Sequence, residues 1–248
     1  MKTSERHHLK DNELATAVGV AQSWFDQNRT TVLAIVAAIV IVGGGLLAYS
    51  TWTNRVQTQA AELLAEAMVI EEARIQPPAP PAGTTNDPTN PGGQLPGTYP
   101  TLEAKLEAAL PKFQAAADGY PDTQPGRTAR LHLAETLAKM GRRDEALEQY
   151  DRLIATGDPL LARAARLGKA SAQIAAGQYD PAIATLKELS EQQGSAMPAE
   201  ALLMELARAY RLAGRTDDAR KTLTDIVEKH ADSPFATEAK AEMARLKG

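Results

Sequence analysis

One short pattern, met three times in the C-terminal half of the chain, limits the folds open to it. It reads Gly141-Arg142-Arg143-Asp144-Glu145-Ala146, then Gly177-Gln178-Tyr179-Asp180-Pro181-Ala182, then Gly214-Arg215-Thr216-Asp217-Asp218-Ala219. Each copy is Gly-x-x-Asp-x-Ala, and the copies recur at the spacing of a helix pair. Self-similarity at that period marks an architecture of stacked units, each too small to bury its own apolar face alone. The glycine is expected to end one helix in the left-handed conformation, and the aspartate to N-cap the next. Pro181 is then expected at the first helical position, where its missing N–H costs nothing. The closing alanine is small enough for paired helices to cross closely.

The pattern extends along each unit. Leu203, Leu206, Ala207 and Tyr210 precede the third turn, and Ala219, Leu223 and Ile226 follow it. Around the first turn the matching residues are Leu133, Ala134, Leu137, Ala146, Tyr150 and Leu153, with Pro159 closing the unit. The middle unit departs more. Ala170, Ile174, Leu186 and Leu189 are apolar, but Lys169 and Gln173 fall at positions that are usually apolar. Upstream, Ala109, Phe113, Ala116 and Pro121 match the second helix of a further unit. Its first helix is either the segment 55–75, with a Pro/Gly-rich insertion following it, or missing, in which case that segment is an independent juxtamembrane helix. Asp232-Ser233-Pro234 opens a last helix over 235–247, expected to cap the stack.

A large residue, a leucine, a small residue and an aromatic on the first helix, followed by this turn, resemble the tetratricopeptide repeat (TPR). The resemblance implies an all-α solenoid of helix hairpins over 101–248 with a C-terminal capping helix. It implies structural roles for Gly141, Ala146, Tyr150, Gly177, Ala182, Tyr210, Gly214 and Ala219. Composition agrees: aromatics are 4% of the chain and helix-forming residues dominate.

The second constraint is an apolar run at 30–52, TTVLAIVAAIVIVGGGLLAYSTW, with no charge between Arg29 and Arg55. A bilayer core of about 30 Å needs roughly 20 apolar residues in a helix. In lipid, a helix lets one segment satisfy its own backbone polar groups. Trp24 and Phe25 before the run, and Tyr49 and Trp52 at its end, stand where aromatic belts form. The run is longer than the roughly 7–15 residues of a cleavable signal core, so it reads as a retained anchor. Lys2, Arg6, Lys10 and Arg29 precede it, against Arg55 and Arg74 close behind, which leans the N-terminus towards the cytoplasm. Gly43, Gly44 and Gly45 lie inside the run without GxxxG spacing.

The remaining segments follow from these two. Residues 1–29 read as a cytoplasmic tail in which Asp11 is an N-cap candidate and Leu14, Val18, Ala21 and Phe25 recur at helical spacing, a short amphipathic helix at the membrane surface. Residues 30–52 are the span, and 53–76 carry the helical stripe Val56, Ala60, Leu63, Leu64, Ala67 and Ile70, with Glu62, Glu66, Glu71 and Glu72 on a solvated face. Residues 77–100 are a Pro/Gly-rich loop that cannot bury a core.

Chemistry has little to stand on. The chain has no Cys, which removes thiolate metal sites and cysteine nucleophiles. His7 and His8 sit in the tail, and neither His132 nor His230 has a second His or Cys at ligand spacing. No Gly-rich phosphate loop or nucleophile elbow occurs. No catalytic residue, metal site or cofactor is expected. The net charge of -4 offers no basic footprint for nucleic acid.

What remains is protein binding. A solenoid presents a concave face to another polypeptide, and the first-helix residues Arg130, Glu135, Arg166, Lys169, Gln173, Arg208 and Arg211 are the candidates to line it. The whole layout is similar to the bacterial family of membrane-anchored TPR proteins that includes the ancillary subunit of the SecYEG translocon. That resemblance implies a non-catalytic scaffold or chaperone-like adaptor at the inner membrane, with the repeats in the periplasm. Its partners would be translocon components, translocated polypeptides or periplasmic chaperones. A structural envelope-assembly or cell-division factor, or the accessory subunit of an enzyme complex, remain alternatives.

Overall fold

The computed structural model describes residues 19, 24, 27–78, 94–192 and 198–246. The expected amphipathic helix at 1–29, the pair His7 and His8, and most of the Pro/Gly-rich loop lie outside these residues. Two units make up the chain, Met1–Arg55 and Val56–Gly248. The elements are α1 (Arg29–Glu72), β1 (Arg74–Ile75), β2 (Thr98–Tyr99), α2 (Leu102–Gly119), α3 (Gln124–Lys139) and α4 (Arg143–Ala155). They continue with α5 (Pro159–Ala175), α6 (Tyr179–Glu191), α7 (Ala199–Leu212), α8 (Thr216–Lys229) and α9 (Pro234–Arg245).

Among the described residues the fold is helical as expected, apart from one parallel two-residue pairing of Arg74 with Thr98 and Ile75 with Tyr99. The first helix therefore stops at Glu72 and does not reach Ile75. Gln76 precedes Pro77 and Pro78, a context that disfavours helix and extends the chain. Its N–H donates to the Tyr99 carbonyl at 2.8 Å, which closes the base of the loop.

In the first unit, α1 carries the apolar run with its side chains outward. Leu33, Ile35, Val36, Ile39, Val40, Ile41, Val42, Leu46 and Leu47 are 50–73% exposed. Among the described residues, this is the one helix long and apolar enough to cross a membrane.

In the second unit two kinds of connection alternate. Within each pair the chain turns on a glycine at φ 76°, 76° and 75° for Gly141, Gly177 and Gly214. Around Gly141, its own N–H donates to Ala138 O at 3.0 Å and the Arg142 N–H to Leu137 O at 2.9 Å, the double bond of a Schellman turn. The same two bonds recur at Gly177–Gln178 and Gly214–Arg215. Arg142, Gln178 and Arg215 thus end one helix and stand as N-cap of the next, with no side-chain cap bond. This corrects the expected aspartate caps. The turn is too short to leave room for them, so Asp144, Asp180 and Asp217 lie in the first helical turn, where a carboxylate faces the positive end of the helix dipole. Pro181 moves with them and falls past the first helical position.

Between pairs, a polar cap followed by proline restarts the helix. Thr123 accepts from Gly126 N, Asp158 from Leu160 N and Leu161 N, and Ser233 from Phe235 N. Pro159 accordingly opens α5 and does not close the preceding unit.

The alanines that mark the repeat do what small residues allow. Ala146, Ala182 and Ala219 are fully buried, as are Ala134 and Ala170 on the facing first helices. Gln173 holds the place in α5 that Leu137 holds in α3 and Tyr210 in α7, and it too is buried. At the front of the stack, Leu63, Leu64, Ala67, Met68 and Ile70 of α1 share one core with Ala109, Phe113 and Ala116 of α2. Lys105 of α2 donates to the carbonyls of Glu71 at 2.9 Å and Ala73 at 3.3 Å, covering acceptors that the end of α1 leaves open. Residues 56–72 thus pack against α2, with the Pro/Gly-rich stretch between the two in the sequence. At the far end, Ala236 and Ala239 bury α9 against α8, whose Leu223 and Ile226 share its core.

Candidate functional site

A hollow in the repeat unit lies over α3, α4 and α5 and reaches Leu202 of α7, with a volume of about 840 Å³. Its origin is in the residues of α5. Ala164, Gly168, Ser171, Ala172 and Ala175 present little side-chain volume along the inner face of that helix, so its neighbours are not filled in. Tyr150 of α4 forms part of the lining. Its hydroxyl is pushed above the usual tyrosine range, first by burial and second by the charge of Glu135.

Cations rim this apolar surface. Arg163 is tied down, donating to the carbonyls of Leu189 and Gln192 at 3.2 Å each. Lys139 lies 3.5 Å from Glu71. Arg143 is exposed and makes no ion pair among the described residues. Leu160 stands at the edge with 65% of its surface exposed.

Of the seven residues expected to line a partner-binding face, Glu135 lines this groove. Arg130 is only 6% exposed. It donates to Ala117 O and Gln149 Oε1, each at 2.7 Å, and to Asp118 at 3.1 Å, tying α3 to α2 and α4. Arg166 pairs with Glu188 at 3.1 Å, and Lys169 pairs with Asp151. Gln173 is in the core, its Oε1 without a hydrogen-bond partner. Arg208 and Arg211 edge a smaller hollow of about 270 Å³ between α7 and α9, shared with Glu205, Glu238 and Glu242. Sequence reasoning missed Leu160, Arg163, Leu167 and Gly168. The available signal was the run of small residues on α5 with a glycine in mid-helix, where glycine otherwise weakens a helix.

A second constellation joins α1 to α3. His132 Nδ1 lies 2.9 Å from Glu71 Oε2 and 4.0 Å from Glu135 Oε2, while its ring stacks on Phe113 with centroids 5.3 Å apart. Glu71 was expected on a solvated face. Its side chain is instead only 21% exposed, held between His132 and Lys139. Glu66 likewise meets Lys112 at 2.9 Å. His230 pairs with Glu200 at 2.9 Å.

A stack of helix pairs with a broad apolar groove defines a protein-binding helical-repeat solenoid. The tetratricopeptide repeat-like domain family matches residues 22–201, and a tetratricopeptide repeat matches residues 199–243. The chain belongs to the tetratricopeptide repeat-like domain family. Among solved structures it is similar to the nearly identical TPR-like repeats of a Podosopora anserina protein classed with the kinesin light chains, at 21% identity and TM-score 0.51, covering 58% of this chain and 78% of that one. A tetratricopeptide repeat protein from Parabacteroides merdae aligns at 18% identity and TM-score 0.47, over 59% of this chain and 55% of that one. The first likeness is one of fold. No curated protein matches the chain.

Proposed function

We propose that this chain is a non-catalytic scaffold anchored in the bacterial inner membrane, with its N-terminus in the cytoplasm and its repeats in the periplasm. It holds polypeptides there during envelope protein biogenesis, beside the Sec translocon. The observation that carries the binding role is the groove of about 840 Å³ with its apolar floor and cationic rim. An apolar concavity with a few fixed polar groups is the usual form of a recognition site. Supporting the anchor, the aliphatic side chains of the run in α1 are exposed, and each gains roughly 1.5–3 kcal/mol when removed from water. The excess of Lys and Arg ahead of the run supports the orientation. The partners in this reading are translocon components, emerging polypeptides and periplasmic chaperones.

Topology comes first among the tests. Spheroplasts carrying the full chain with an epitope after Gly248 are treated with protease, alongside a cytosolic control. Loss of the epitope without lysis is the expected result, and protection until lysis would overturn the periplasmic placement. A photocrosslinker at Leu160 then reads the groove. Adducts with translocon or envelope proteins are expected. Adducts confined to cytosolic proteins, or none, would end the proposal.

A further inference from the structure

The atoms around His132 form more than an ion pair, and we infer that Glu71, His132 and Glu135 bind a first-row divalent transition ion of the zinc type. His132 Nδ1, one oxygen of Glu71 and one of Glu135 all lie within 4.8 Å of one another. A shared ion holds its nitrogen and oxygen ligands at about 2.1 Å. Two such ligands are then about 3.0 Å apart at a right angle and about 3.4 Å apart at the tetrahedral angle. The 2.9 Å between His132 Nδ1 and Glu71 Oε2 falls at the short end of that range. The 4.0 Å to Glu135 is somewhat longer. Glu135 is 39% exposed at its side chain and free to close the remaining distance.

Direction supports the same reading. Glu71 Oε2 and His132 Nδ1 are both shut off from solvent, yet neither has a hydrogen bond, although they are 2.9 Å apart. The contact is close enough but not aligned along the ring nitrogen. Two ligands of one ion have that relationship, because the ion occupies the axis of the nitrogen lone pair and the oxygen stands to its side. Outer partners for the ligands are in place as well. Lys139 takes the other Glu71 oxygen at 3.5 Å, which leaves Oε2 for single-point ligation, and Phe113 fixes the plane of the ring. One imidazole and two carboxylates suit Zn²⁺, Mn²⁺ or Co²⁺ better than Mg²⁺ or Ca²⁺, which prefer oxygen alone. The bound ion would clip the end of α1 to α3. His230 offers a contrast: it meets one carboxylate, Glu200, and no such three-residue group forms around it among the described residues.

The test uses the full chain in detergent with His7→Ala and His8→Ala, which removes the terminal histidine pair as a competitor. Co²⁺ and Zn²⁺ are each titrated after EDTA treatment. Visible ligand-field bands of protein-bound Co²⁺ and a Zn²⁺-dependent rise in Tm of roughly 5 °C are expected. Both signals should weaken at least about tenfold in affinity in Glu135→Gln and in His132→Gln. Glu135 is exposed enough that its variant folds, and the metal-free Tm of each variant checks this. A Co²⁺ spectrum of the aqueous ion with an unchanged Tm would overturn the site. Signals that survive His132→Gln would place the ion elsewhere, and signals that survive only Glu135→Gln would reject the three-ligand assignment.

Discussion

The ring of Tyr150 occupies the space that a side chain on residue 168 would need. A methyl group built on Gly168 would lie 2.6 Å from Tyr150 Cε1 and Cζ and 2.7 Å from its hydroxyl oxygen. Contacts under 3.0 Å force something to move, and here it is the outer end of a Tyr150 ring that is only 2% exposed. Gly168→Ala should therefore destabilise the repeat unit. Overpacking costs about 1–3 kcal/mol, against about 1 kcal/mol that alanine regains in a helix. Urea unfolding of the single variants and of Tyr150→Leu with Gly168→Ala closes a double-mutant cycle. The alanine should be neutral or stabilising once the ring is gone, and equal costs in both backgrounds would refute the steric account.

The same ring makes a pH prediction. Burial, and then Glu135, raise the Tyr150 hydroxyl above its ordinary value, which is about 10. A group whose folded value is raised lends its full stability below the unfolded value and loses it as pH climbs towards the folded one. The wild-type chain should thus lose stability above about pH 10 faster than Tyr150→Phe, which has no proton to lose. Urea midpoints of the two proteins between about pH 8 and 11 give the comparison, and other titrating groups cancel in the difference. Parallel curves would show that the hydroxyl titrates as if exposed.

Arg130 and Arg208 were expected to play one role and the structure gives them different ones. Arg130→Met removes the donor to Ala117 O while keeping the side-chain stem, and should cost about 1–3 kcal/mol. Arg208 is 58% exposed at its side chain, with Glu205 at 3.6 Å. Arg208→Met should stay within about 0.5 kcal/mol of wild type. Thermal or urea unfolding separates them, and equal costs would contradict the burial of Arg130.

What could be read without coordinates divides along chain distance. The glycine turns, the buried alanines and the restart signals are local, and the sequence carries each within a few residues. The phase of the repeat also held the answer for Arg130. It stands in relation to Ala146 as Leu203 stands to Ala219, an apolar slot, so a guanidinium there had to be buried and bonded. The aspartate caps failed because a two-residue turn lets one residue serve both helices, a geometric economy that spacing alone does not reveal. The groove depends on absent volume along α5, and hollowness is set by what the facing helices fail to supply. His132 and Glu135 share a helix face three residues apart, half of the second constellation. Glu71 reaches them only because the end of α1 packs beside α2 and α3, although about sixty residues of chain separate it from His132.

The apolar and the charged residues at the edge of the groove should contribute differently to partner binding. Leu160 is 65% exposed and buries little in the free protein, so Leu160→Asp should leave stability within about 0.5 kcal/mol. If the apolar edge of the groove anchors an apolar segment, the same change should lower affinity for a crosslinked partner about tenfold or more. Arg143 has no ion pair among the described residues, so its charge is available to a partner. Arg143→Glu should slow association and flatten or reverse its salt dependence, with a smaller effect on dissociation, as rim charges do. Association kinetics at low and high salt, measured with the partner captured at Leu160, separate the two contributions. Unchanged binding in both variants would place the docking surface elsewhere on the solenoid.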